Sequence, residues 1–342
     1  MIIMSFNIEL EKEDYFPGET VKGTLSVTLE KVIKARKVEV TLEGTESLID
    51  GSSERRSIPV PVTSAIAWAS SKAESLGPGT KTYPFELALP ETLRPSRSVS
   101  FDYTIPAHAA ENGITSTIPS SMNLAMQYHL KAKIDVPRAI DPKANILLQV
   151  NPLSKKVSPM NIGSRLMIDE GNIYVEANVD KNIFTPGDKI TGRVMVTKDL
   201  PERLRAIDVI LKFVITGSPN KGAEPTKAME QVCDFVSFPF SPDETHFEST
   251  FELESFPDGP ISVYGDCFKI MWLVDVKVDL PLKVDQHVRI PLHALLQQEC
   301  EPQPENEACE VEWIETSVPS SAESGDREST TDIEELYQKF NI

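Results

Sequence analysis

The stretch YFPGETVKGTLSV, Tyr15 to Val27, returns in altered form as IFTPGDKITGRVMV, Ile183 to Val196. At an offset of 169 residues Pro17 meets Pro186, Gly18 meets Gly187, Glu19 meets Asp188, Val21 meets Ile190 and Gly23 meets Gly192. Pro-Gly writes a turn, with Pro fixing φ at the first central position and Gly supplying the positive φ of the next. The alternation Val21, Gly23, Leu25, Val27 then sets one row of side chains on one face of a strand. The same offset lays VEVTLEG, Val38 to Gly44, on IDVILKF, Ile207 to Phe213. A shorter offset lays KAKIDVP, Lys131 to Pro137, on DVKVDLP, Asp275 to Pro281, and FEL occurs at Phe85 and again at Phe251. Two homologous domains are the simplest account.

Within KAKIDVP the polar Lys131, Lys133 and Asp135 alternate with Ala132, Ile134 and Val136. Such a period of two, punctuated by 26 prolines and 16 glycines, implies short antiparallel strands with one wet and one buried face, hence an all-β sandwich in each half. The expected divisions are a first sandwich over 1–155, a linker over 156–168, a second sandwich over 169–297 and a tail over 298–342. One segment departs from the pattern. TSAIAWASSKAESLGPG, Thr63 to Gly79, is rich in Ala and Ser, spaces Ile66, Ala69, Ala73 and Leu76 as a helix would, and ends in Gly-Pro; it predicts one short helix in the first domain, with no counterpart in the second.

At 342 residues with 40% hydrophobic content the chain has room for two ordinary domains with separate cores. No apolar run approaches the length of a bilayer span. The N-terminus MIIMSFNIELEKED has no basic start and meets acids by Glu9, so neither a signal nor a transit peptide is expected, and a cytoplasmic location is. The formal charge is −18, and from Glu299 onward thirteen acids face only Arg327 and Lys339, a net of −11 that leaves −7 on residues 1–298. An anionic tail on a mildly acidic body argues against nucleic acid as partner, because phosphate contacts need clustered Lys and Arg. Lys34, Arg36, Lys37, Lys131 and Lys133 read as the solvated face of a sheet. The tail from about Leu296 is too polar to order itself by burial and is expected to be disordered. Its last residues, DIEELYQKFNI, place Ile333, Leu336, Tyr337 and Phe340 on one side of a helix.

No catalytic constellation is visible. His108, His129, His246, His287 and His293 form no HxH or HExxH pattern. Gly217-Ser-Pro-Asn-Lys-Gly222 has the glycine spacing of a phosphate loop, but Ala223-Glu224 stand where Lys and Ser/Thr are needed, so it reads as a loop between strands. Neither GxSxG nor GxGxxG appears. Cys233, Cys267, Cys300 and Cys309 lack the close pairing of a zinc site. No metal, cofactor or catalytic residue is expected.

The tandem of β-sandwiches, the opening YFPGETVKG, the segment Thr63 to Leu76 followed by TYPFELALPETLRPS (Thr82 to Ser96), and the pair QYHLKAKIDVP and MWLVDVKVDLP together resemble the arrestin family over about residues 5–296. The resemblance implies two tandem immunoglobulin-like sandwiches and a cytosolic, non-catalytic adaptor. Such proteins bind membrane cargo, often receptor tails, and connect it to sorting or ubiquitin machinery. No PPxY motif is present, the tail prolines being Pro302, Pro304 and Pro319, and the opening strand FNIELEKED carries more acid than base, unlike a cationic phosphate-sensing groove. The pattern is therefore nearer to α-arrestins and the retromer subunit of this fold than to receptor-specialised arrestins. DIEELYQKFNI shares acidic and aromatic residues with the tail peptide by which some arrestins engage a clathrin adaptor, and lacks that pattern's terminal Arg.

The expected partners are protein cargo or the cytoplasmic segments of membrane proteins, together with trafficking or signalling proteins. The chain is expected to be a monomer or weak oligomer, with peripheral membrane contact near Trp68 an option. Strand addition to sheet edges would supply affinity. The terminal Ile333, Leu336, Tyr337 and Phe340 are expected to bind protein, in cis or in trans. In cis they would dock on the first domain, against Phe6, Ile8 and Leu10 of the opening strand and Ile66, Ala73 and Leu76 of the helix. The alternative is a structural sorting-coat or assembly subunit joined through sheet edges.

Overall fold

A computed structural model describes residues 4–49, 55–101, 122–138, 141–152, 158–168, 171–199, 203–217, 227–296 and 311–316. These residues fall into two compact units that divide between residues 154 and 155. The strands of the first are β1 (Met4–Leu10), β2 (Asp14–Tyr15), β3 (Thr20–Leu29), β4 (Ile33–Ile49), β5 (Arg55–Leu76), β6 (Gly79–Ala88), β7 (Arg97–Phe101), β8 (Met122–Asp135) and β9 (Lys143–Val150). One sheet runs β1-β3-β6; the other runs β2-β9-β8-β4-β5, with β7 also on β8. Alternation does the work the sequence assigns to it. Val21, Leu25 and Val27 from one sheet and Val38, Val40, Leu42, Leu130 and Ala132 from the other meet in one buried cluster, while the intervening residues stay wet.

The second unit contains β10 (Ile162–Ile168), β11 (Ile173–Val179), β12 (Ile183–Phe184), β13 (Lys189–Lys198), β14 (Ala206–Gly217), β15 (Lys227–Pro239), β16 (His246–Glu254), β17 (Val263–Tyr264), β18 (Phe268–Asp279), β19 (Gln286–Ala294) and β20 (Glu312–Thr316). Its sheets run β16-β13-β11-β10-β20 and β12-β19-β18-β14-β15, with β17 on β18. Trp272 lies in its core, meeting Phe184 edge-on at 5.2 Å and Phe213 at 4.9 Å between ring centroids. Its indole N–H donates to the Pro260 carbonyl at 2.8 Å, which spares a buried donor.

Apart from β10 and β20, the described strands of the two units repeat one pattern. β1, β2 and β3 fall on β11, β12 and β13 at the 169-residue offset, and the order β2-β9-β8-β4-β5 maps onto β12-β19-β18-β14-β15. Smaller devices recur as well. Gly18 and Gly187 both hold positive φ, at 82° and 97°, and the carboxylates of Glu19 and Asp188 accept from the backbone N–H of Phe16 and Thr185. After β8 and β18, Arg138 and Leu282 take left-handed φ of 61° and 64° in matching turns. The chain is thus all-β, a tandem of sandwiches, with no α-helix among the described residues.

Two expectations are corrected. Thr63 to Leu76 is not a helix but part of β5, paired antiparallel with β4 from Ile33↔Leu76 to Ile49↔Arg55. Against the 17 residues of β4, β5 spends 22, and register breaks opposite Ala35/Lys37, Val38/Glu39 and Leu42/Gly44 take up the surplus. Each break resets the alternation of faces. Ala65, Ala67 and Trp68 therefore pack on the core while Ile66 stands 63% exposed, and apolar residues acquire a spacing that imitates a helix. β15 occupies the corresponding place in the second unit, so the segment does have a counterpart. The second correction lies in the tail, where β20 forms inside the segment expected to lack structure.

Candidate interaction surfaces

β1 pairs with β3 along its whole length, from Met4↔Leu29 to Leu10↔Gly23. Its counterpart β11 is paired on both sides, with β13 and with β10. Among the described residues no strand pairs with the outer edge of β1, so its outward backbone groups remain a template for strand addition. Ile8 is buried in the core cluster, Leu10 packs beside it, and Phe6 belongs to β1 although its side chain lies outside the described residues. Of the remaining expected docking residues, Leu76 is buried in the core, and Ile66 and Ala73 are exposed on β5. Ile333, Leu336, Tyr337 and Phe340 lie outside the described residues.

The outward face of the larger sheet in the first unit forms a concavity of about 480 Å³ lined by Thr41, Glu43, Lys131, Lys133, Lys143 and Asn145. Two of its three lysines, Lys131 and Lys133, are partnered, as are Arg36 and Lys37 elsewhere on β4. Lys131 bonds to Glu43, Lys133 to Asp141 at 2.9 Å, Lys37 to Glu39 at 2.8 Å and Arg36 to Asp135 at 2.7 Å. The Asp141 carboxylate, accepting from the Val136 N–H and from Lys133, is held below its ordinary range. This is a solvated, charge-balanced sheet face, as the alternation implies.

A second cluster was not singled out by the sequence. Lys212 of β14 stands in the apolar run AIDVILKFVITG, and a cation there must find a partner or remain outside the fold. Its ammonium lies 2.8 Å from Asp275 Oδ2 and 3.0 Å from Glu230 Oε2, and His287 Nδ1 lies 2.9 Å from Asp275 Oδ1. Asp275 is 1% exposed. Burial pushes its carboxyl up, but Lys212, the hydrogen bond from His287 and the charge of Arg289 together outweigh this and hold it well below the usual carboxylate range. A carboxylate so stabilised is a weak base, and it is closed to substrate. Its place on the face shared with Val214, Met271 and Leu273 makes it a charged brace for the sheet. Burial also pushes the thiol of Cys233 up, which quenches its reactivity. Among the described residues no group of three or more His, Cys, Asp or Glu is placed to hold a metal, and no helix is long and apolar enough to cross a membrane.

The tail strand has a built seat. β20 lies parallel to β10 in the register Ile162↔Glu312, Gly163↔Trp313, Ser164↔Ile314 and Leu166↔Thr316, and the Glu312 N–H donates to the Asn161 carbonyl at 3.0 Å. Ile314 is buried. Trp313 points to the other face, its ring 3.8 Å from the Arg165 guanidinium carbon and directly over Gly163, where a Cβ would stand 2.7 Å from ring atom Cζ3. Val311 lines a shallow concavity of about 620 Å³ with Asn161, Asn178, Arg193, Phe251 and Glu252. The signal that could have found this strand is VEWIE itself, where Val311 and Trp313 alternate with acids ahead of Ile314.

Comparison with curated proteins returns no match. Comparison with family models matches residues 4–155 to the arrestin (or S-antigen) N-terminal domain.

Proposed function

We propose, from the match of residues 4–155 to the arrestin N-terminal domain, that the chain is an arrestin-family protein and works as a cytosolic, non-catalytic adaptor that binds protein cargo, chiefly cytoplasmic segments of membrane proteins, and links it to trafficking or signalling partners. The observation that carries this reading is the outer edge of β1 within the matched domain, on which no strand pairs among the described residues. An extended cargo segment added there gains main-chain hydrogen bonds, and the alternation of the sheet offers pockets to every second side chain. The body supplies surfaces, and the buried charge of Asp275 is already met by Lys212 and His287.

The tail is the regulated part of this reading. The sequence spaces Ile333, Leu336, Tyr337 and Phe340 as one side of a helix would, and we propose that in the resting chain they dock on the first domain, near Phe6, Ile8 and Leu10 of β1. Burial of a few such side chains is worth several kcal/mol gross at about 25 cal/mol per Å², and the ordering of the segment offsets much of it, which makes the contact displaceable. Hydrogen exchange tests it: amides of 333–342 are expected to be protected in the intact chain, and full exchange within the dead time removes the docked tail from the account.

An open sheet edge equally suits an assembly subunit. Sedimentation separates the two readings. A monomer at all concentrations supports the adaptor; oligomers that grow with concentration and survive removal of 332–342 support assembly.

A further inference from the structure

We propose that the outer edge of β10 is a receptor for an extended acidic strand that carries a tryptophan followed by a branched apolar residue. In the resting chain residues 311–316 occupy it, and a partner segment of the same chemistry takes their place in trans. This site lies in the second unit and is separate from the β1 edge and the terminal segment.

Three independent observations lead there. Among the described residues β10 and β20 have no equivalents in the first unit, where the corresponding sheet ends at β1. The second unit has therefore extended its sheet by one strand and covered the new edge with its own tail. The seat, moreover, is shaped by β10 and not by the occupant. Gly163 leaves the space the Trp313 ring fills, Arg165 presents its guanidinium to the ring face, and β10 is itself fixed to β11 through seven register pairs, from Ile162↔Val179 to Ile168↔Ile173. A flat cation under an aromatic face, beside main-chain donors and acceptors, recognises a tryptophan in an extended chain. Finally, the occupying stretch is acidic in sequence, and position 315, a glutamate, stands opposite Arg165 in the backbone register.

The hold is suited to exchange. Five residues pair in parallel, on one side only among the described residues, with one buried aliphatic side chain and one stacked ring. Residues 297–310 join the occupant to the sandwich, so its advantage over a partner is effective concentration and not contact. Arg165 Nε makes no hydrogen bond among the described residues and stands 3.6 Å from Glu176 Oε2, leaving a donor for an acidic ligand to use better than the resident strand does.

The test uses a fluorescent peptide of sequence EVEWIET, that of residues 310–316, titrated by anisotropy against three chains. These are the intact chain, a chain ending at Cys309, and a full-length chain carrying Trp313→Ala and Ile314→Ala. Both altered chains are expected to bind the peptide saturably and at least about tenfold more tightly than the intact chain, which competes with itself. Replacing the peptide's Trp by Ala, or Arg165 by Glu in the shortened chain, is expected to cost about tenfold. In the intact chain Arg165→Glu is expected to shift the emission of Trp313 to the red, a readout that needs no truncation. Equal binding by all three chains, no binding by either altered chain while the β10–β11 amides stay protected, or unchanged Trp313 emission in the Arg165→Glu chain would each overturn the proposal.

Discussion

The ring of Phe251 lies across Gly192, its register partner on the adjacent strand, so that a Cβ on Gly192 would stand 2.5 Å from the ring atom Cζ. Phe85 covers Gly23 in the same way in the first unit, at 2.8 Å. The two repeated signals, the glycine after each Pro-Gly turn and the phenylalanine of each FEL, are thus one device. Glycine lets an aromatic ring lie flat on the strand, and the ring covers the backbone that the glycine leaves bare. Phe251→Ala is expected to lower the stability of the second unit by about 3–5 kcal/mol, and Gly192→Val to act in the same direction by forcing the ring away. Denaturant unfolding followed through the buried Trp272 reads both. A double variant no worse than the worse single one confirms that the pair acts together.

Lys212 and Asp275 are expected to be strongly coupled. Asp275→Leu or Lys212→Met alone leaves a buried charge without its compensation and is expected to cost about 3–5 kcal/mol, whereas the two changes together restore most of the loss. Denaturant midpoints of the four chains form the cycle. Additive losses would show that the pair is not a unit.

His293 gives the second unit an acid limb. Burial pulls its imidazole down to about 4, with Nδ1 3.2 Å from the Tyr264 hydroxyl. The unfolded chain takes up this proton below about pH 6.5 and the folded chain only near pH 4, so the contribution is intact above the first value, is lost across the interval and is gone below it. The loss is on the order of 3 kcal/mol. Asp275, whose folded carboxyl is depressed, adds a separate loss that begins only below about pH 4. Unfolding midpoints between pH 4 and 7 are expected to fall with acid, and His293→Gln to flatten that slope by one proton.

Phe340→Ala is expected to change affinity for cargo or partner by several-fold while leaving the melting of both units in place, because the proposed latch uses the side chain in a displaceable contact alone. Calorimetry alongside a binding titration checks it, and a lowered melting temperature would place Phe340 in the body instead.

What was legible in the sequence was what the duplication wrote twice. The Pro-Gly turns, the alternation of β3 and β13, and the matching ends of β8 and β18 all stand where the offsets put them, because turn chemistry and a period of two are local properties. Even the Lys133–Asp141 ion pair of one turn reappears as Lys277–Asp285 in the other, at 2.9 and 3.3 Å. β5 was misread because its bulges depend on pairing with β4, and no window of β5 alone contains that information. The union of Lys212, Asp275 and His287 joins three strands and is equally invisible until the sheet is assembled. β20 escaped because strand pairing overrode an acidic composition: edge addition to β10 needs only five residues and two apolar side chains.

The adaptor reading is tested most directly by an array of cytoplasmic segments from membrane proteins, probed in parallel with the intact chain and with the chain cut before Asp332. Saturable binding of a subset by the first unit's β1 edge, lost on Pro substitution within β1 and strengthened several-fold by the cut, is the predicted result. Binding no better than to scrambled segments in both forms would contradict it.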